Sequence, residues 1–445
     1  MNAMVWVGVL AVLAGGCAKK SAEEQLSTAA EAIQKSVGIT GSVLLRGVSD
    51  LIINGETLHG VGDYFSGNAD NENTRVVRGQ AFRTRETSLD EVADDLESLL
   101  RLFLANPVLD SATGEIRYTP DASAICAKLA GNNPGPCVSV VGHFTLAQTP
   151  RGETAGSLSV RFDGYTPLVL TYAENEFTMD VALSDLRQTL LGIQIASADP
   201  GVVPGEGLPS VMEGRVRLRL ARESDQSGSI AVGVAEAVHV SGGAGDDHAD
   251  IQVAIAPAMV VVRLDRALKQ VSAALDVFGV ELELPMYDRN DVRHPSHWIA
   301  PGLAGEIRLD DLAREISFTG VGLRGADLTL AFAGSTAALS IPGFDAKIVI
   351  PGGVPQVQVL SNLSVGLVFN DDGDALGETG ARQISAAAGT ILTPVNGAIA
   401  VDSGSVTFEG TGDFSLSLTV NSGSCFDVNA ESPGGFPFQT AACFQ

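Results

Sequence analysis

The densest gathering of imidazole and carboxylate groups is His294-Pro295-Ser296-His297, with Asp288 and Asp291 just upstream. Zinc needs three or four such ligands converging, and Pro295 prevents a helix from presenting both imidazoles on one face. We therefore expect no metal there. Two acidic loops have calcium-like spacing. Gly242-Gly243-Ala244-Gly245-Asp246-Asp247 opens one copy of a calcium nonapeptide, a motif that binds only when stacked copies share ions. Asn370, Asp372 and Asp374 alternate as calcium ligands do, but no Gly follows the third, and Glu378 comes too early to close the shell. Both read as plain acidic turns.

Arg215, Arg217 and Arg219 alternate with Val216, Leu218 and Leu220. On a strand they stand on one face about 6.6 Å apart. The default is pairing with carboxylates on a neighbouring strand; the functional alternative is a site for an anionic group such as lipid phosphate. Beyond Cys17, four cysteines remain: Cys126, Cys137, Cys425 and Cys443. An even count in an exported chain reads as disulfides, with three connectivities open and near-neighbour pairing expected. Each short loop closed would contribute about 3 kcal/mol by chain entropy. There is no Gly-x-Ser-x-Gly elbow, phosphate loop, His-Glu-x-x-His or Cys-x-x-Cys. Nothing here proposes an enzyme or a cofactor.

The elements that would carry these residues are mostly strands. Period-two alternation runs through Leu158–Phe162, Leu168–Tyr172 and Phe177–Leu183, and resumes at Val216–Leu220, Ile230–Val240 and Ile251–Ile255. From Gly305 onward nearly everything alternates. Val357, Val359, Leu363, Val365, Leu367 and Phe369 share parity over one long run, broken at Ser361, and should all face the core. Three amphipathic helices are expected: Ser21–Val37 with Gly38 past its end, a second opened by Ser88 and running to Phe103, and a third over Val262–Phe278. Pro285–Gly302 reads as irregular. No repeat of fixed length is evident. The expected class is mainly β, with antiparallel, Gly-rich sheets forming a sandwich or a curled open sheet, and about three packed helices.

The chain has 445 residues, 45% of them hydrophobic and only 18% charged. Such a composition supports a large core and excludes a disordered chain. The net charge of −25 argues against nucleic acid and against a broad electrostatic grip on anionic lipid. Pro200, Pro204 and Pro209 with Gly201, Gly205 and Gly207 mark a boundary. The expected organisation is a leader over 1–17, a membrane-proximal helix over 18–38, an α+β domain over 39–200 and a mainly β domain over 210–445.

The leader carries a resemblance. Met4–Gly16 is an uncharged apolar run of signal-peptide length, too short to span a bilayer comfortably, closing as Leu13-Ala14-Gly15-Gly16-Cys17. This resembles the lipobox of bacterial lipoproteins. The resemblance implies cleavage before Cys17 and acylation of Cys17, which would tether the chain to a membrane. Ala18 rather than Asp after the cysteine resembles outer-membrane sorting. The resulting expectation is an envelope-anchored, non-catalytic lipoprotein, whose β body binds a lipid or other hydrophobic ligand. The alternative is a structural or protein-interaction scaffold that binds other envelope proteins.

Overall fold

Apolar and polar residues alternating between Pro- or Gly-rich breaks specify strands with one buried and one wet face. The computed structural model describes residues 22–40, 44, 97–129, 135–197, 204–205, 208–242, 251–276, 279–287, 292–371, 379–395, 398–411, 415–423, 425–431 and 437–443. Among these residues lies one 26-stranded sheet. Every pairing in it is antiparallel, so the mainly β, antiparallel expectation holds.

The first part is a simple meander: β1 (Val108–Leu109), β2 (Ile116–Tyr118), β3 (Phe144–Pro150), β4 (Gly156–Phe162), β5 (Leu168–Ala173), β6 (Glu176–Ala182) and β7 (Val211–Arg222). Its apolar face is covered by helices. Helix α1 (Ala22–Ile33) starts with Glu23 and Glu24, which favour its positive end, and buries Ala29, Ala32 and Ile33 against Ile116, Tyr118, Leu146, Leu158 and Tyr172. Gly38, expected beyond the helix end, instead lies in a π-helical segment, Gln34–Ile39.

Helix α2 (Ala122–Leu129) is capped by Asp121, whose carboxylate accepts from the Ala124 amide at 3.0 Å. Helix α3 (Gly135–Val141) is tied to it by the Cys126–Cys137 disulfide. Of the helix expected from Ser88, residues 97–103 are described and helical, and they pack on α2 and α3 through Leu99, Leu102 and Phe103. Helix α4 (Leu183–Ser197) packs on β4, β6 and β7. The Pro/Gly stretch connects α4 to β7, and the sheet runs past it: β6 and β7 pair from Glu176↔Ala221 to Ala182↔Arg215.

The second part is a sheet folded along a line. Strand β8 (Ser227–Ser241) pairs through its first half with β10 (Ala258–Asp265) and through its second half with β9 (Gln252–Ile255). Strands β9 and β10 are one creased strand broken at Ala256-Pro257. The same division recurs in β11–β12 (Gln270–Asp276, Val280–Tyr287), β13–β14 (Arg293–Ala300, Leu303–Asp310), β15–β16 (Glu315–Leu323, Leu328–Phe332), β17–β18 (Ser335–Ser340, Phe344–Val349), β19–β20 (Gln356–Val359, Leu363–Asp371) and β21–β22 (Gly380–Ala386, Ile391–Val395). Strand β23 (Ala398–Thr411) again spans both halves, pairing with β22 and β21.

Two arms result. Arm A runs β8, β10, β11, β14, β15, β18, β19, β22, β23, and arm B runs β8, β9, β12, β13, β16, β17, β20, β21, β23. Strands β24 (Ser415–Gly423), β25 (Cys425–Glu431) and β26 (Pro437–Cys443) extend the sheet beyond β23.

Glycine makes the fold line. Gly214 sits at a register shift between β7 and β8 with φ +96°, and a Cβ there would lie 2.2 Å from the Ala237 carbonyl oxygen. Gly305, at the β14–β15 shift, has φ +136°, and its Cβ would lie 2.6 Å from Val321 Cα. A side chain at either position meets an unfavourable backbone conformation and a neighbouring main chain together.

Two expectations are corrected here. The stripe over Val262–Phe278 is not a helix: Ala258–Asp265 and Gln270–Asp276 are strands of one hairpin. Pro285–Gly302 is not irregular but contributes strands Val280–Tyr287 and Arg293–Ala300. Pro285 and Pro295 face each other there, beyond the reach of β9 and β16, so neither removes a ladder bond from a flanking strand.

Candidate apolar groove

Along the creased strands, one face is lined mainly by apolar side chains. In arm A the register lines up Ile230, Val232 and Val234 with Val260 and Val262, then with Ala273 and Leu275, Ile307 and Leu309, Ile316 and Phe318, and Ile348. In arm B, Val238 and Val240 align with Ile255 and Val253, then with Leu282, Trp298, Leu330, Leu339, Leu367, Ile384 and Phe408 across successive strands.

The two apolar faces meet at the fold line. Val359, Leu392 and Val401 of arm A pack with Leu363, Ala386 and Val406 of arm B, and Val359 is only 1% exposed. Among the described residues no helix joins this cluster, and the arms bury it by folding toward each other. The apolar side is therefore the concave side.

At the β1–β7 end the same face is filled. Helix α4 contributes Leu183 and Leu186 to a cluster with Val234, Val238, Val216 and Ile255. Leu44 fills the arm A side against Leu220, Ile230, Leu264 and Val271. Beside them Gln148 is fully buried and fully bonded. Its amide donates to the Ala29 carbonyl at 2.9 Å and to the Tyr172 hydroxyl, and its oxygen accepts from the Tyr118 hydroxyl. Burial holds both tyrosine hydroxyls above their ordinary pKa, so both stay protonated, Tyr118 as donor and Tyr172 as acceptor.

Farther along, the face is bare. Val232 is 51% exposed, Ile384 43% and Phe408 42%, although each sits in an interior strand on the concave side. From β8 to β23 there are eight inter-strand steps, a trough about 38 Å long at about 4.8 Å per strand. By register this face carries a charge at Arg382, opposite Leu367 toward the outer end of arm B.

The outer face carries cross-strand ion pairs alongside exposed Ile299 and Val368. Arg215 and Arg217 lie 3.0 and 2.6 Å from the carboxylate of Asp180, Arg219 lies 2.8 Å from Glu176, and Glu236 is 3.8 Å from Arg215. Burial pushes the Asp180 carboxyl up, but the hydrogen bonds from Arg217 and Arg215 outweigh it, and the net pKa is lowered. The hydrogen bonds from Arg219 do the same for Glu176. An incoming phosphate would have to compete with these carboxylates for the row.

Of the His cluster, His294 stacks edge-on with Phe332 and His297 pairs with Glu281 at 2.7 Å. No grouping of three metal-ligating side chains occurs among the described residues. Outside the fold line, Ala237, His239, Ala254, Glu281, Ile299 and Pro301 line an open depression of about 420 Å³.

Cys126 and Cys137 form a disulfide, and β25 and β26 set Cys425 directly opposite Cys443. Cys17 and the leader, and the calcium-like segments 243–250 and 372–378, lie outside the described residues. Residue-by-residue reading missed the fold line itself. Its signal was present as Pro257, Pro301 and Pro342, spaced 44 and 41 residues apart, each interrupting an alternating run at the fold line.

A scan against known protein families and searches of curated proteins and of solved structures find no match to this chain.

Proposed function

We propose that this chain is an envelope-anchored, non-catalytic lipoprotein whose creased sheet holds the acyl chains of a lipid, or a similar elongated hydrophobic ligand, along its concave face. The carrying observation is the bare apolar lining at Val232, Ile384 and Phe408. Leaving such side chains wet forgoes about 25 cal/mol for each Å² that a hydrocarbon ligand would cover. The trough, about 38 Å by strand spacing, exceeds a whole hydrocarbon core of about 30 Å, so extended acyl chains fit lengthwise. The cross-strand ion pairs of the outer face support a solvated exterior. The lipobox-like leader supports attachment to a bacterial envelope, at the outer membrane, through acyl chains on Cys17.

Trp298 lies on the concave face of arm B and reports on it directly. The only other tryptophan, Trp6, is removed by Trp6→Phe. In that variant a brominated fatty acid should quench Trp298 saturably, and Phe408→Asp with Ile384→Asp should weaken the effect. Unchanged Trp298 emission at saturating fatty acid would overturn the groove reading. For the anchor, a fatty-acid label should mark the wild type and not Cys17→Ser, and equal labelling of both would refute it.

The second reading is an envelope scaffold, favoured by the β1–β7 half, where helices pack over the apolar face. A groove whose Trp298 ignores hydrocarbon would favour it.

A further inference from the structure

The amino-terminal segment runs along the sheet in one direction. Gln25 and Thr28 line a small hollow with Leu109, Gly114 and Ile116 of the β1–β2 hairpin. The Ala29 carbonyl accepts from the side chain of Gln148 on β3 at 2.9 Å. In the π-helical continuation, the Ser36 hydroxyl lies 2.5 Å from the Ala173 carbonyl oxygen at the end of β5. Leu44 then packs against Leu220 of β7, Ile230 of β8 and Leu264 of β10. The segment thus crosses the strands in their order, and helix α1 points its amino terminus away from the trough. Helix geometry agrees: the 12 residues of α1 rise about 18 Å, nearly four strand spacings.

This direction decides where a tether at Cys17 leaves the body. Five residues lead from Cys17 to Ala22, and fully extended they reach at most about 18 Å. Seven inter-strand steps separate β1 from β8, and eight more along arm A reach β23. At about 4.8 Å each, β23 lies about 72 Å along the sheet from the β1 edge. Phe408 of β23 is 42% exposed, so the bare lining extends to that far end, whereas α4 and Leu44 fill the near one. The tether is therefore too short to bring the far end to the bilayer unless the body lies down on it. A net charge of −25 opposes that on an anionic surface. Strands β24–β26, which continue the sheet past β23, carry only Asp427 and Glu431 of that charge.

We infer that the chain stands with the filled end of its sheet at the anchoring bilayer and the bare end away from it, and loads its ligand from a second lipid surface. The inference deepens the proposed function, on which it rests for the tether at Cys17 and for a ligand in the trough. It gives the trough a direction: ligand exchanges at the end remote from the anchor.

Two measurements on the acylated chain in phosphatidylcholine–phosphatidylglycerol vesicles test it. In the first, Ala112→Cys in the β1–β2 turn or Glu409→Cys on β23 carries an energy-transfer donor; both positions are exposed. Acceptors on the headgroups of the anchoring bilayer should draw at least twofold more transfer from position 112 than from 409. A smaller ratio would overturn the orientation. In the second, Trp6→Phe leaves Trp298 as the sole tryptophan. Phospholipid brominated on its acyl chains should quench Trp298 when supplied in separate vesicles, and not when placed in the anchoring bilayer. Quenching as strong from the anchoring bilayer would overturn the loading route. Quenching by free brominated fatty acid but not from separate vesicles would also overturn the route, and would keep the groove. No quenching from any source would overturn the groove, and the energy-transfer pair would still decide the orientation.

Discussion

Gly214→Ala tests the fold line. The substitution adds one methyl at φ +96°, where the new Cβ would lie 2.2 Å from the Ala237 carbonyl oxygen and 2.7 Å from Val238 Cα. Two costs arise. Holding an L-residue in that backbone region costs about 1–3 kcal/mol. Moving main chain that carries buried Val238, which packs with Leu183 of α4, costs about 1–3 kcal/mol more, as overpacking does. Gly152→Ala separates them: Gly152 has φ +87°, and nothing lies within 4 Å of its Cβ position. Urea midpoints of the two variants, converted through a common slope, should differ by about 1–3 kcal/mol with Gly214→Ala the less stable. Equal shifts would show that strands β7 and β8 do not approach as closely as the bulge requires, and the reasoning about the crease would fall with them.

Other outcomes follow from the same geometry. Val359→Ala should cost about 2 kcal/mol because its side chain is buried at the fold line, whereas Phe408→Ser should cost less than a buried aromatic truncation while weakening ligand uptake; thermal melts and Trp298 quenching separate the two. Asp180 and Glu176 ionise below the ordinary carboxylate range, so their pairing stabilises the fold above the unfolded pKa of about 4 and is lost as pH falls through the lowered values. Urea midpoints at pH 7 and pH 3 should therefore depend less on pH in Asp180→Asn, by about 1 kcal/mol at most for such part-exposed pairs, and an unchanged pH dependence would rule the pairing out as a stabiliser. Cys425 and Cys443 face each other across an antiparallel pair, at a Cα separation of about 4.5–5.5 Å that a disulfide spans; alkylation of the mature protein before reduction should leave both unmodified, and labelling of either would break the pairing.

Much of this was legible because alternation is a local property. The run from Val357 to Phe369 keeps one parity through its break, and in the structure Val357, Val359, Leu363, Val365 and Leu367 do share the concave face, with Ser361 at the bend. The bend itself was hidden, because folding a strand at its middle leaves its parity intact. Val262–Phe278 misled for the opposite reason. Its four-residue turn shifts parity between Leu264 and Val271, and Leu268 at the tip completes a spacing of three and four that imitates a helix. Leu268 instead faces solvent at the tip of the hairpin. The pairing of the Arg row was half legible. Strand order decides which neighbours can supply carboxylates, and Asp180 and Glu176 come from a strand separated from β7 by helix α4.

Each creased strand between β8 and β23 hydrogen-bonds only to the one before and the one after it in the chain. Such an architecture is a tape measure. Inserting or deleting two consecutive creased strands restores chain direction, handedness and parity, and changes only the length of the trough, by about 10 Å per pair. Length is thus a quantity this fold can gain or lose in fixed increments, without redesign of the helix-filled end or of the strands beyond β23.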